Sequence, residues 1–146
     1  MGGINVSRWL LGGLAAGAVV WVLEGVSSVF YMDDAQAALE AANLSMDMTA
    51  STWILTVVLS LIVGFALVFF YAAARPRLGP GPKTATTVAV ALWFASYLVS
   101  LLGYQMIGLY PKSMLALWGL VGLIELIAAA MVGGWIYREA EASAGV

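Results

Sequence analysis

The chain has 146 residues, of which 63% are hydrophobic and 10% are charged, and its mean hydropathy is +0.98. Because a soluble domain carries about a quarter charged residues, this composition excludes an ordinary soluble protein and indicates a membrane protein. The chain contains neither Cys nor His, which excludes a disulfide framework, a Ser-His-Asp triad and haem ligation by Cys or His. A net charge of −2 without a basic run argues against nucleic acid as a partner.

Four apolar segments are each long enough to cross the hydrocarbon core of a bilayer, which takes about 20 residues. The segments are continuous rather than alternating, so the pattern predicts helices and not a transmembrane barrel. We therefore predict an all-α membrane protein, a four-transmembrane-helix bundle with antiparallel up-down topology, formed by a single integral membrane domain over residues 1–146. The predicted spans are residues 9–30, 52–74, 87–110 and 114–137.

The connections between the predicted spans differ in composition. Residues 31–51 form an outer loop whose Ala-rich part, with Asp33 or Asp34 as a helix cap, predicts a short amphipathic helix. Residues 75–86 form an inner loop with three prolines and two glycines, and we expect these to exclude a continuous helix. The third and fourth spans are joined by a very short turn, so we expect them to be antiparallel neighbours.

The basic residues predict the orientation of the chain, because cytoplasmic loops of membrane proteins are enriched in Lys and Arg. Only Lys112 falls on the opposite side from the other five, so both termini are predicted to be cytoplasmic, in the inner membrane of a bacterial cell. The length of the first span and the acidic Glu24 near its end favour a retained helix over a cleaved signal peptide. The five basic residues on the predicted inner side are Arg8, Arg75, Arg77, Lys83 and Arg138.

Glu24 and Glu125 are the two acidic residues inside the predicted spans. A charged carboxylate at the centre of a membrane helix costs roughly 2.5–3.5 kcal/mol on insertion scales, and such residues mark ion, proton or substrate pathways. At about 1.5 Å per residue, Glu24 lies roughly 10 Å from the outer interface and Glu125 roughly 16 Å. The two acids therefore lie within about one helical turn of the same depth.

Small and polar residues share helix faces with these acids. Glu24 lies on the face of Gly13 and Gly17, a Gly-x-x-x-Gly pair that favours close helix packing, so it is expected to point into the bundle. The hydroxyl residues have packing as an alternative role, and a protonated Glu bonded to a neighbouring helix is the alternative for the acids. The third span is predicted to present one polar stripe, with Gln105 on a neighbouring face of the same helix; the stripe comprises Trp93, Tyr97, Ser100 and Tyr104. The candidate binding or proton-coupling residues are Glu24, Glu125, Tyr104, Tyr97, Ser100, Ser60 and Thr56.

Three functions fit these features. The first is binding or transport of a small solute, an ion or a proton at the two carboxyl groups. The second is a non-catalytic accessory subunit of a larger membrane complex, or a homo-oligomer, packed through Gly-rich faces. The third is an intramembrane enzyme that uses the two Glu residues as acid and base on a lipidic substrate. No catalytic motif besides these two acids supports this third function.

The sequence assigns no cofactor and no metal site, and it leaves a bound lipid, quinone or pigment open. The lipid bilayer is the expected partner. Four short helices with a Glu in the first make an arrangement similar to that of the small multidrug resistance transporters. The resemblance covers Glu24 alone, and Glu125, the longer outer loop and the fourth helix depart from it.

Overall fold

A computed structural model describes residues 4–138, and every regular element in that range is a helix. Four helical stretches are long and apolar enough to cross a membrane, which confirms the prediction of an all-helical, multi-pass membrane protein. These four stretches are Val6–Ser28, Ala50–Leu78, Pro82–Ile107 and Lys112–Ile136.

The first spanning helix, α1, covers Val6–Ser28 and begins where the Asn5 side chain accepts a hydrogen bond of 3.2 Å from the Arg8 N–H. A short helix, α2, covers Met32–Ala41 on the loop that follows. The second spanning helix, α3, covers Ala50–Leu78 and is capped at its start by the Thr49 hydroxyl. Polar caps of this kind satisfy N–H groups that have no partner inside the helix.

The connection between the second and third spans is shorter than the predicted loop of residues 75–86. α3 continues through Pro76, since a proline this near the helix end removes only one hydrogen bond. The reversal is confined to residues 79–81, where Gly79 and Gly81 have φ angles of 81° and 118° that glycine adopts readily. The next helix, α4, covers Pro82–Leu92, and its first residue needs no N–H partner.

The third span is not the uninterrupted α-helix that the sequence predicts. After α4, residues Trp93–Leu98 form a π-helical segment, and α5 covers Val99–Ile107. A π turn holds an extra residue and is often found at functional sites. The last helix, α6, covers Lys112–Ile136.

Glycines hold α1 close to α3 and α6, with which it packs most extensively. A Cβ at Gly64 would lie 2.6 Å from the Cα of Gly17, and one at Gly12 would lie 2.8 Å from the backbone oxygen of Gly133. Such close backbone approach is the packing mode of small residues in membrane helices. The core beside these contacts is fully buried and apolar, and includes Ala16, Leu67, Val68 and Ala129.

Aromatic side chains tie the helices together at the end of the bundle that carries most of the cations. The backbone N–H of Asn5 donates to the Tyr137 hydroxyl at 3.2 Å, and the N–H of Gly81 donates to the Tyr71 hydroxyl at 3.0 Å. The two tyrosine rings lie 6.2 Å apart, and the Arg75 guanidinium lies 5.9 Å from the Tyr137 ring centre. We call this the cation-rich end, and the opposite end, near α2, the acidic end.

Candidate functional site

The two acids inside the spans meet in the structure. Glu125 on α6 is 4% exposed, and the carboxyl group of Glu24 on α1 lies close enough to interact with it electrostatically. Two carboxylates brought together away from water repel each other unless one of them carries a proton, because a like charge disfavours ionisation. We call Glu24 and Glu125 the carboxyl pair, and its geometry suits a proton held between two helices.

Ser27 is a member of the site that was absent from the predicted set. Its hydroxyl lies 3.1 Å from Oε1 of Glu125 and 3.1 Å from the backbone oxygen of Glu24, so it links α1 to α6. Ser27 follows Glu24 by three residues, and residues at this spacing share a helix face. The sequence therefore contained the signal for this residue.

Tyr31 is a second residue of the site that was absent from the predicted set, and it lies in the connection between α1 and α2. Its hydroxyl donates a hydrogen bond to Oε1 of Glu24, while its ring packs edge-on against Trp118 with centroids 5.4 Å apart. Burial, and then the hydrogen bond to Glu24, raises the pKa of Tyr31 above its usual range, so its phenol remains a neutral donor. Tyr31 thus connects the carboxyl pair to the acidic end.

Tyr97 is the predicted aromatic residue that does reach the site. It belongs to the π-helical segment, is half-buried, and interacts electrostatically with both Glu24 and Glu125. Its ring lies over Gly122 on α6, where no larger residue would leave room. The π-helical segment and Gly122 together bring the phenol to the carboxyl pair.

The predicted hydroxyls of α3 do not join the site. Ser60 is buried, and its hydroxyl donates to the backbone oxygen of Thr56 at 2.9 Å. Thr56 donates to the backbone oxygen of Trp53 at 2.8 Å and accepts from the Trp21 indole N–H at 3.2 Å. Bonding to the preceding turn is the usual way for such hydroxyls to be satisfied inside a helix. These two residues therefore have packing roles.

Ser100 and Tyr104 also lie away from the carboxyl pair, contrary to the predicted stripe. Ser100 is exposed and donates to the backbone oxygen of Ser96 at 2.9 Å, and Tyr104 is 39% exposed and packs on Tyr110. The extra residue of the π turn moves the face directed at α6 by one position. Leu101, the next residue after Ser100, is the one that contacts Gly119 on α6.

The site therefore consists of two carboxyl groups with three hydroxyl groups around them, from α1, the α1–α2 connection, α6 and the π-helical segment. This donor set can hold a proton or bind a small cation. Among residues 4–138, no group of three or more His, Cys, Asp and Glu side chains is placed to hold a metal ion. The members of the site are Glu24, Ser27, Tyr31, Tyr97 and Glu125.

Fold and site define a multi-pass integral membrane protein with a carboxyl pair inside its helical bundle. No protein-family model matches the chain, and no curated protein or solved structure shows significant similarity to it.

Proposed function

We propose that the protein binds a proton or a small cation at the carboxyl pair, as the site of proton-coupled solute binding or transport. The observation that carries this proposal is the proximity of Glu24 and Glu125, two acids on different helices that Ser27 links. Ionisable residues at membrane depth face protein, pair with one another and mark proton or ion pathways. Ser27 and Tyr31 each donate to one carboxyl group and so hold the pair in place.

The surroundings of the pair favour proton exchange with the acidic end. On that side Tyr31 extends the hydrogen-bonded chain from Glu24 to the start of α2. On the other side, the nearest core positions on α6 are Leu126 and Ala129, which are 5% and 0% exposed and carry no polar side chain. On this side α6 therefore offers no hydrogen-bonding side chain to carry a proton toward the cation-rich end.

The accessory-subunit alternative relies on Gly-rich faces that are free to pack against a partner. In the structure these glycines are covered from within the chain, since Gly13 packs on Phe65, Gly122 on Tyr97 and Gly134 on Tyr71. The described glycine faces of α1 and α6 therefore support packing inside the bundle, and they favour the binding function over the accessory one.

A substitution test separates these possibilities. In proteoliposomes containing a trapped pH-sensitive dye, Glu24→Gln and Glu125→Gln should each abolish any proton uptake seen with the unmodified protein. Infrared difference spectra between acidic and neutral pH should lose the protonated-carboxyl band in both variants. Glu40→Gln on α2, an exposed acid outside the spans, is the matched control and should keep both signals. Retention of the carboxyl band in both pair variants would overturn the proposal.

We further propose an antiparallel bundle in the inner membrane with both termini in the cytoplasm. The contacts support the antiparallel arrangement of α1 and α3. Trp9 bonds to Phe65, whereas Trp21, further along α1, bonds to Thr56, which comes earlier in α3. Since the chain has no cysteine, single cysteines can report its orientation cleanly. In intact cells, Lys112→Cys should react with an impermeant maleimide and Lys83→Cys should react only after lysis. The reverse labelling pattern would show that the termini lie on the outer side and would contradict the proposed orientation.

A further inference from the structure

A groove lies between α6 and the second half of the third span, away from the carboxyl pair. Its volume is about 430 Å³, and its walls include Leu98 and Leu101 on one side and Leu115 and Leu123 on the other, with Trp93 among the lining residues. The groove exists because α4 packs extensively on α6, whereas α5, beyond the π-helical segment, contacts α6 much less.

The groove faces the hydrocarbon of the bilayer. All its lining residues belong to the spanning helices Pro82–Ile107 and Lys112–Ile136. Leu102 and Leu120 line it while being 55% and 59% exposed, so it opens on the outside of the bundle. At this depth an apolar groove is filled by a hydrocarbon chain rather than by water.

Among the residues lining this groove, the Trp93 indole N–H is taken up by the backbone oxygen of Gly119, and the remaining polar side chain is Gln105. Gln105 lines it two residues before the end of α5, about 3 Å from that end at the helical rise. Its side-chain amide makes no hydrogen bond within residues 4–138. Lys112, the first residue of α6, lies one helical turn before Leu115 and is exposed. An amide at the interface and a cation just beyond it match the ester and phosphate levels of a phospholipid.

We propose that this groove binds one anionic phospholipid of the bilayer. One acyl chain lies among the leucines, the glycerol ester accepts from the Gln105 amide, and the phosphate pairs with Lys112. Between Leu115 and Leu123 the groove is about 12 Å long by the helical rise.

The test is native mass spectrometry of the detergent-purified protein with added phosphatidylglycerol or phosphatidylcholine. The unmodified protein should bind one phosphatidylglycerol in preference to phosphatidylcholine. Lys112→Gln should lower this preference about fivefold, the effect of one basic residue near an anionic lipid surface. Lys83→Gln, which removes a cation at the opposite end, should leave the preference unchanged. Equal binding of both lipids to the unmodified protein, or equal effects of the two substitutions, would refute the proposal.

A second pair of variants tests the groove itself. Ala116→Phe places a ring in the groove from an exposed lining position and should abolish binding of both lipids. Ala73→Phe on α3 adds the same ring at another exposed position, outside the groove. The Ala73→Phe protein should bind both lipids as the unmodified protein does. Circular dichroism would show whether either variant remains helical, and Ala116→Leu supplies a milder obstruction. Undiminished lipid binding by helical Ala116 variants would contradict the assignment. Glu24→Gln should keep the lipid, so this test is independent of the carboxyl pair.

Discussion

The ring of Tyr97 lies directly over Gly122, so close that a Cβ at position 122 would be 2.5 Å from the ζ carbon of the ring. The glycine on α6 and the tyrosine of the π-helical segment therefore fit together as a matched pair. This fit places a phenol beside the carboxyl pair, three residues along α6 from Glu125.

Gly122→Ala should destabilise the protein, because the added methyl group overlaps the Tyr97 ring and the ring must move. Overpacking of this kind costs about 1–3 kcal/mol. Equilibrium unfolding in mixed micelles would measure the loss. Gly103→Ala on α5 is the control, since a Cβ there meets nothing within 4 Å. Equal stability of the two variants would show that Tyr97 does not depend on Gly122.

Gly64→Ala should be more destabilising than Gly122→Ala. The methyl group would overlap the backbone of Gly13 and Gly17 on α1, and a backbone cannot rotate aside as a side chain can. We expect a loss of about 3 kcal/mol or more, measured by the same unfolding experiment. Gly25→Ala on α1, where a Cβ meets nothing within 4 Å, should be close to neutral. A Gly64→Ala protein as stable as Gly25→Ala would contradict the close α1–α3 packing.

Part of this architecture could be predicted from sequence alone. A spanning helix is recognised from about 20 consecutive apolar residues, so the four spanning helices could be predicted without any knowledge of their packing. Counting residues placed Glu24 and Glu125 at nearly the same depth, because the rise of a helix is fixed. Their contact depends on the rotation of α1 against α6, which close approaches such as Gly12 to Gly133 set, and no local pattern reports that rotation.

The third span shows where pattern reasoning failed. The stripe through Tyr97, Ser100 and Tyr104 assumed a constant helical repeat, and the π-helical segment breaks that repeat at Trp93–Leu98. Tyr97 falls within the segment and reaches the carboxyl pair, whereas the two later residues are rotated away from it. Ser27 was missed for another reason, since Ser27 and Ser28 follow Glu24 by three and four residues, and this spacing alone does not distinguish them.

Ser27→Ala should weaken the contact between α1 and α6. The substitution leaves Oε1 of the buried Glu125 without its hydroxyl donor, and a lost buried hydrogen bond of this kind costs about 1–2 kcal/mol. The protonated-carboxyl infrared band should also shift. Ser28→Ala is the matched control, because the Ser28 hydroxyl bonds only to the backbone oxygen of Gly25 at 2.8 Å. If both variants gave the same spectrum and stability, Ser27 would have no role at the pair.

Tyr31→Phe should reduce the loss of stability in strong alkali. Burial, and then the hydrogen bond to Glu24, raises the pKa of Tyr31, so the folded protein keeps a phenol proton that the unfolded chain releases. Stability from this group is fully present below the ordinary tyrosine pKa of about 10 and is lost as pH rises beyond it. Unfolding measured between neutral and strongly alkaline pH should show a smaller decline for Tyr31→Phe.

Tyr110 provides the comparison for this experiment. Burial raises the pKa of Tyr110 in the same direction, but its ring packs on Trp118 and Tyr104 without contacting the carboxyl pair. Tyr110→Phe should therefore also reduce the alkaline decline while leaving the carboxyl infrared band unchanged, whereas Tyr31→Phe should alter it. An unaltered carboxyl band in Tyr31→Phe would show that Tyr31 does not hydrogen-bond to Glu24, in contradiction to the structure.

The bond between Ser27 and Glu125 joins residues 98 positions apart, at opposite ends of the chain. During synthesis α1 enters the membrane before α6, and Glu24 lacks its partner Glu125 until α6 follows. A carboxyl group alone at this depth is unfavourable by roughly 2.5–3.5 kcal/mol, so a chain that stops after three spans retains that penalty. The contact between the two acids can therefore form only once α6 has entered the membrane beside α1.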